Sequence, residues 1–117
     1  MSKTILIIDD EAMVLDALTV ILEDLDYTVE GYSDPFVGEQ AALSGDYDLI
    51  LSDLRMPGKN GAEIVKSILA AKPKARVLII TAFPSDPLAE KALSSGALGL
   101  VRKPFEISKI IEYLEAE

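Results

Sequence analysis

Four short apolar runs of this chain each lead into polar residues of a chemically useful kind. Ile5-Leu6-Ile7-Ile8 runs into Asp9-Asp10-Glu11, and Leu49-Ile50-Leu51 runs through Ser52 into Asp53. Val77-Leu78-Ile79-Ile80 ends at Thr81, and Leu100-Val101 leads through Arg102 to Lys103-Pro104. As parallel strands, the four runs share one carboxyl edge of a sheet, where open α/β folds bind ligands. An acidic pair, a third carboxylate, a hydroxyl and an ammonium then converge there. Close carboxylates repel one another unless a divalent cation sits among them. A lysine facing such a cluster points to an added anion, and phosphoryl is the obvious one.

The elements that must position these residues alternate between strand and helix. Thr4 to Ile8 is an unbroken apolar run, as a strand covered on both faces requires. Val14, Leu18, Ile21, Leu22 and Leu25 recur at helical spacing between Ala12 and Leu25. Thr28 to Tyr32 is more polar and suits an edge strand. Ser33-Asp34-Pro35 starts a short helix to about Leu43. A third strand is expected from Leu49 to Ser52. After the Pro57-Gly58 turn a helix carries Ile64, Val65, Ile68 and Leu69 and closes before Pro73. The fourth strand is expected from Arg76 to Ile80. The fourth helix, from about Pro87 to Ser95, offers only Leu88, Ala89, Ala92 and Leu93 to a core, so its docking should be shallow. Gly96 is a good stop for it. Gly99 to Arg102 is the fifth strand, and Ile107, Ile110, Ile111 and Leu114 mark the last helix. Five such units with short connections make a doubly wound parallel sheet with helices on both faces.

Composition narrows the class further. The 117 residues (1–117) suit one domain with its own core. Half are hydrophobic, yet no apolar run approaches the ~20 residues that span a bilayer. The start has too short an apolar run for a signal peptide, and cysteine is absent, so the cytoplasm is the default location. A net charge of −9 disfavours direct nucleic-acid binding and favours divalent cations and partners with basic patches.

Taken together, Asp9-Asp10, the run D-L-R-M-P-G-K-N-G from Asp53 to Gly61, Thr81-Ala82 and Lys103-Pro104-Phe105 resemble the receiver domain of two-component response regulators. The resemblance extends from Ile5 to Leu114. It implies a flavodoxin-like sheet of order 2-1-3-4-5, with Asp53 as phosphoacceptor from a sensor histidine kinase or phosphotransfer protein. It also implies Mg²⁺ held directly by Asp10, Asp53 and the backbone carbonyl of Arg55, with Asp9 bound directly or through a water. Lys103 would pair with the phosphoryl oxygens, or with Asp53 before phosphorylation. Thr81 would move its hydroxyl onto a phosphoryl oxygen, and the Lys103-Pro104 bond would be cis. Pro57 and Gly61 would shape the loop after Asp53, Gly61 supplying backbone freedom.

Each residue also has a plainer role open to it. Asp10 or Glu11 could cap the first helix, Asp53 could be a solvated loop acid, Thr81 a strand residue satisfied locally, and Lys103 a surface lysine. Two departures stand out. Leu100 occupies a position often aromatic in the family, and Phe83-Pro84 replaces smaller or more polar residues. Competing functions are a Mg²⁺-dependent phosphatase of the haloacid dehalogenase type, a flavin module and a receiver-like adaptor that does not switch. The phosphatase needs an aspartate where Arg55 stands, and the chain has no histidine to replace it. Asp9-Asp10-Glu11 would repel a flavin phosphate. Output is expected through the loop after Thr81, the fourth helix, the fifth strand and the last helix. An unknown output protein or a second copy would dock there, directly or through further chain.

Overall fold

Side-chain alternation along the first strand sends Ile5 and Ile7 to one face of the sheet and Leu6 and Ile8 to the other, where they join separate buried clusters. In the computed structural model, which describes residues 3–103 and 106–116, the chain forms β1 (Thr4–Ile8), α1 (Ala12–Asp24), β2 (Thr28–Tyr32), α2 (Pro35–Ser44) and β3 (Leu49–Asp53). It continues through α3 (Gly61–Ala71), β4 (Val77–Thr81), α4 (Pro87–Ser94), β5 (Leu100–Arg102) and α5 (Ile107–Glu115). All strand pairs are parallel, in the order β2-β1-β3-β4-β5. This is the doubly wound, flavodoxin-like sheet expected from the sequence, with β2 at one edge.

The helices divide between the two faces. Leu18 and Leu22 of α1 and Ile110 and Leu114 of α5 pack on Ile5, Ile7, Leu49, Leu51, Leu78 and Ile80. On the other face, α2, α3 and α4 cover Leu6, Ile8, Ile50, Val77 and Ile79. The α3 helix is well specified: Asn60 and Glu63 form a reciprocal capping box, and Ile64, Val65 and Ile68 are fully buried. The α4 helix buries only Ala89 and Ala92 completely, and Leu93 stays 41% exposed. Its shallow docking follows from those small side chains.

Two strand ends differ from the spacing. Residue Asp53 is the last residue of β3, paired with Ile80, and Thr81 is the last of β4, paired with Arg102. The ladder holds both candidate site residues on rigid backbone rather than on loops. A third difference concerns the loop after β3. Backbone freedom is needed at Gly58, where φ is +86°, and not at Gly61, which is required for space.

Candidate functional site

The carboxyl edge gathers its charged groups in two steps, backbone first. The amide of Asp9 donates to the Tyr32 carbonyl at 3.1 Å, and that of Lys103 to the Thr81 carbonyl at 2.9 Å. These bonds continue the ladder past the strand ends and fix where each side chain begins. Asp9 is fully buried, Asp53 is 6% exposed and Asp10 is partly exposed. Oxygens of the three carboxylates lie within 4.8 Å of one another.

The Lys103 ammonium stands among the acids. It lies 3.2 Å from Asp53 Oδ1, 3.1 Å from Asp9 Oδ2 and 2.9 Å from Glu11 Oε1. It is therefore not an ordinary surface lysine. The Asp9 contact is an ion pair without hydrogen-bond alignment, and Asp9 Oδ2 has no hydrogen-bond partner. Asp9 Oδ1 accepts the Glu11 amide at 2.9 Å. Neither Asp10 nor Glu11 caps α1: Glu11 occupies the cap position with no side-chain cap bond, and its carboxylate turns to Lys103 instead. The sequence held no signal for that pair, because its members lie 92 residues apart.

Electrostatics follow from this crowding. Burial raises the Asp53 carboxyl to about 7, and the Asp9 charge pushes it the same way, against Lys103 and the Leu54 amide. Burial likewise lifts Asp9. Burial works to lower Lys103, but the carboxylates of Glu11, Asp53 and Asp9 outweigh it and hold the ammonium above its usual range. Asp53 Oδ1 accepts the Leu54 amide at 2.8 Å as well as facing Lys103. Among the described residues no hydrogen bond reaches its other oxygen, Oδ2, which can therefore accept a cation or meet an electrophile.

Beside Asp53 opens a cavity of about 290 Å³ lined by Glu11, Arg55, Thr81, Ala82, Phe83, Asp86 and Lys103. Thr81 Oγ1 accepts the Phe83 amide at 3.0 Å, so its hydroxyl proton remains free to donate elsewhere. Phe83 is 69% exposed. The Arg55 guanidinium grips Asp86 through two bonds of 2.7 and 2.9 Å, a partner that sequence spacing did not reveal. Leu100 is half-buried and packs against the cluster under α4. The bond between Lys103 and Pro104, expected cis, lies outside the described residues.

A divalent cation fits this donor set. The three side chains offer carboxylate oxygens, which suit a hard ion, and the buried Asp9 Oδ2 without an aligned hydrogen bond and the raised Asp53 carboxyl both mark crowded negative charge.

The fold and site have counterparts. The family model of the response regulator receiver domain matches residues 5–115, and the chain belongs to that family. Among curated proteins, the transcriptional regulatory protein FixJ of Bradyrhizobium diazoefficiens is 31% identical over 112 residues, covering 96% of this chain and 55% of its own length. Protein CcdB of Bacillus subtilis is 34% identical over 111 residues, covering 92% of this chain and 91% of its own. The chain also spans 27% of the phosphoglycerate transport regulator PgtA of Salmonella typhimurium, so its relatives carry it in contexts of different length. Among solved structures, a CheY-like receiver domain from Methanospirillum hungatei superposes with a TM-score of 0.90 at 28% identity, covering 97% of this chain and 94% of its own. The chain is thus a receiver domain of the kind found in two-component response regulators. Among the described residues, no helix is long and apolar enough to cross a membrane.

Proposed function

We propose that this domain is a Mg²⁺-dependent phosphorylation switch with Asp53 as its phosphoacceptor. The observation that carries this reading is the Lys103 ammonium set among three carboxylates, beside a cavity open at Asp53. Asp10, Asp53, Asp9 and the Arg55 carbonyl would hold the ion. When bound there, Mg²⁺ would supply positive charge that offsets that of an approaching phosphoryl group. Asp53 Oδ2 attacks phosphorus, the phosphorus–nitrogen bond of a phosphohistidine donor breaks, and the imidazole keeps the electron pair and takes a proton. Lys103 moves its attention from Asp53 Oδ1 to the new phosphoryl oxygens. Thr81 donates its hydroxyl proton to one of them, giving up the Phe83 amide as it turns.

The donor is a sensor histidine kinase or a phosphotransfer protein, and the domain works in the cytoplasm. Its own catalysis is limited to gaining and losing that phosphoryl group. Output leaves through the surface of β4, α4, β5 and α5, where Leu93 and Leu98 are each 41% exposed. An output protein or a second copy of the chain docks there. A solved sensor-kinase receiver domain from Pseudomonas aeruginosa with magnesium in its cleft shares the fold at 24% identity and a TM-score of 0.87.

Intact-mass measurement with acetyl phosphate, with and without Mg²⁺, tests the assignment. Wild type should gain one phosphoryl only with the ion, and Asp53→Asn should gain none. Undiminished uptake by Asp53→Asn would overturn it. The adaptor reading, kept open by Leu100 in place of an aromatic ring, expects partner binding that phosphorylation leaves unchanged.

A further inference from the structure

Arg55 and Asp86, which both line the Asp53 cavity, form a two-point ion pair. Nε lies 2.7 Å from Asp86 Oδ2 and Nη2 2.9 Å from Oδ1, the parallel geometry a guanidinium prefers with a carboxylate. Arg55 follows β3 by two residues, and Asp86 is the N-cap of α4. Asp86 Oδ1 also accepts the Leu88 amide at 2.9 Å, so the same carboxylate starts the helix and anchors the arginine.

The two ends of this pair differ in freedom. The Arg55 side chain is 65% exposed and that of Asp86 only 10%. The guanidinium can swing; the carboxylate is held by Leu88. Asp86 is further tied through its own amide to the Phe83 carbonyl at 3.0 Å, and the Phe83 amide to Thr81 Oγ1 at 3.0 Å. The start of α4 is therefore fastened at two points, one through Thr81 and one through Arg55. Arg55 and Lys103 are the cations lining the cavity, and Lys103 is already shared among three carboxylates. A new dianion on Asp53 would compete with Asp86 for the Arg55 guanidinium.

We infer that Arg55 is an ionic relay: on phosphorylation it leaves Asp86 for the phosphoryl oxygens and frees the first turn of α4. This rests on the reading of Asp53 as phosphoacceptor. The transfer exchanges a singly charged partner for a doubly charged one with matching oxygen geometry. It acts on a helix whose fully buried residues are only Ala89 and Ala92, with Leu88 partly buried beside them, so that a modest change can bias its position. It also gives the domain a second route to α4 where Leu100 offers no ring to turn.

Asp86→Asn isolates the relay, because asparagine still caps α4 through Leu88 while the charge that holds Arg55 is gone. With Mg²⁺ present, this variant should bind beryllofluoride, a phosphoryl mimic, roughly 1.5- to fivefold more tightly than wild type, the range for an exposed charge pair. Amides at the start of α4 should exchange faster before beryllofluoride is added and change less afterwards. Losing an acid near an anion site would tighten binding without any relay, so the comparison is repeated with Arg55→Gln. The gain from Asp86→Asn should vanish in that background. An equal gain with and without Arg55→Gln overturns the relay, as does a wild-type α4 response in Asp86→Asn. If wild type binds neither beryllofluoride nor phosphoryl, the phosphoacceptor reading fails and takes the relay with it; additive variants in a protein that does bind sink the relay only.

Discussion

A methyl group on Gly61 would stand 2.5 Å from the carbonyl oxygen of Asp53 and 3.1 Å from Leu54 Cα. The first residue of α3 thus lies directly against the backbone that presents the Asp53 carboxylate, and the Gly61 amide donates to the Leu54 carbonyl at 2.8 Å. These two atoms are backbone and cannot rotate away, although the third neighbour, Ile79 Cδ1 at 3.1 Å, is a side-chain atom. Because Asp53 is also paired in the β3–β4 ladder, the loop and helix must yield rather than the strand.

Gly61→Ala should therefore destabilise the domain by about 1–3 kcal/mol, the usual cost of forced overpacking. Alanine favours a helix by about 1 kcal/mol over glycine, which opposes the clash without cancelling it. Urea denaturation measures the net effect. A neutral or stabilising result would show that the contact relaxes freely. Because the Arg55 carbonyl lies on the displaced loop, Mg²⁺ affinity should fall as well.

Metal-free stability should decrease as pH rises from about 4 to about 7. Asp53 has an ordinary value of 3.8 and stands near 7 when folded, chiefly through burial. Between those values the folded chain binds more protons than the unfolded one, so raising pH favours unfolding. The full loss should be on the order of 4 kcal/mol. Saturating Mg²⁺ should flatten this slope, and Asp53→Asn should remove its Asp53 component. Denaturation at pH 4.5 and pH 7.5, with and without the ion, checks the sign. Stability that rises across this window without Mg²⁺ would contradict it.

Lys103→Ala should abolish tight beryllofluoride binding while Mg²⁺ binding survives. The ammonium repels a cation, so its removal can even strengthen metal binding, yet the phosphoryl oxygens lose their partner. Asp9 and Asp53 would then face each other without their shared counter-ion, and the metal-free protein should lose stability at neutral pH. Separate titrations of Mg²⁺ and beryllofluoride resolve the two effects. Parallel losses of both would place Lys103 with the metal instead.

Thr81→Ala should leave phosphoryl uptake largely intact and blunt the response of α4. The substitution strips the Phe83 amide of its acceptor, so the loop before α4 should already be looser in the resting protein. Amide chemical shifts before and after beryllofluoride report both changes. A full wild-type response from Thr81→Ala would remove Thr81 from the coupling path.

Asp10→Asn should weaken Mg²⁺ binding more than Asp9→Asn. Asp9 is fully buried with Oδ1 engaged by the Glu11 amide, whereas Asp10 is partly exposed. Thermal shift under metal titration compares the two. Equal affinity in wild type and Asp10→Asn would exclude Asp10 as a direct ligand.

The strands were legible in the sequence because a buried parallel strand must be apolar on both faces, and Ile5–Ile8 and Val77–Ile80 have no other use. Asp9, Asp10, Asp53, Thr81 and Lys103 were legible for the same reason, since each follows such a run and parallel order brings those ends together. The shallow anchorage of α4 could be read from its alanines. The pairing of Lys103 with Asp53 followed from the resemblance, but only the tertiary structure decided the other meetings of cation and acid. Glu11 reaches Lys103 across 92 residues, Arg55 reaches Asp86 across 31, and the Asp53 carbonyl meets Gly61 through space. Periodicity encodes which face a residue takes within a dozen neighbours. It carries no information about side-chain reach of a few ångströms between loops, nor about the burial that lifts Asp53, because both arise only once the five βα units have packed.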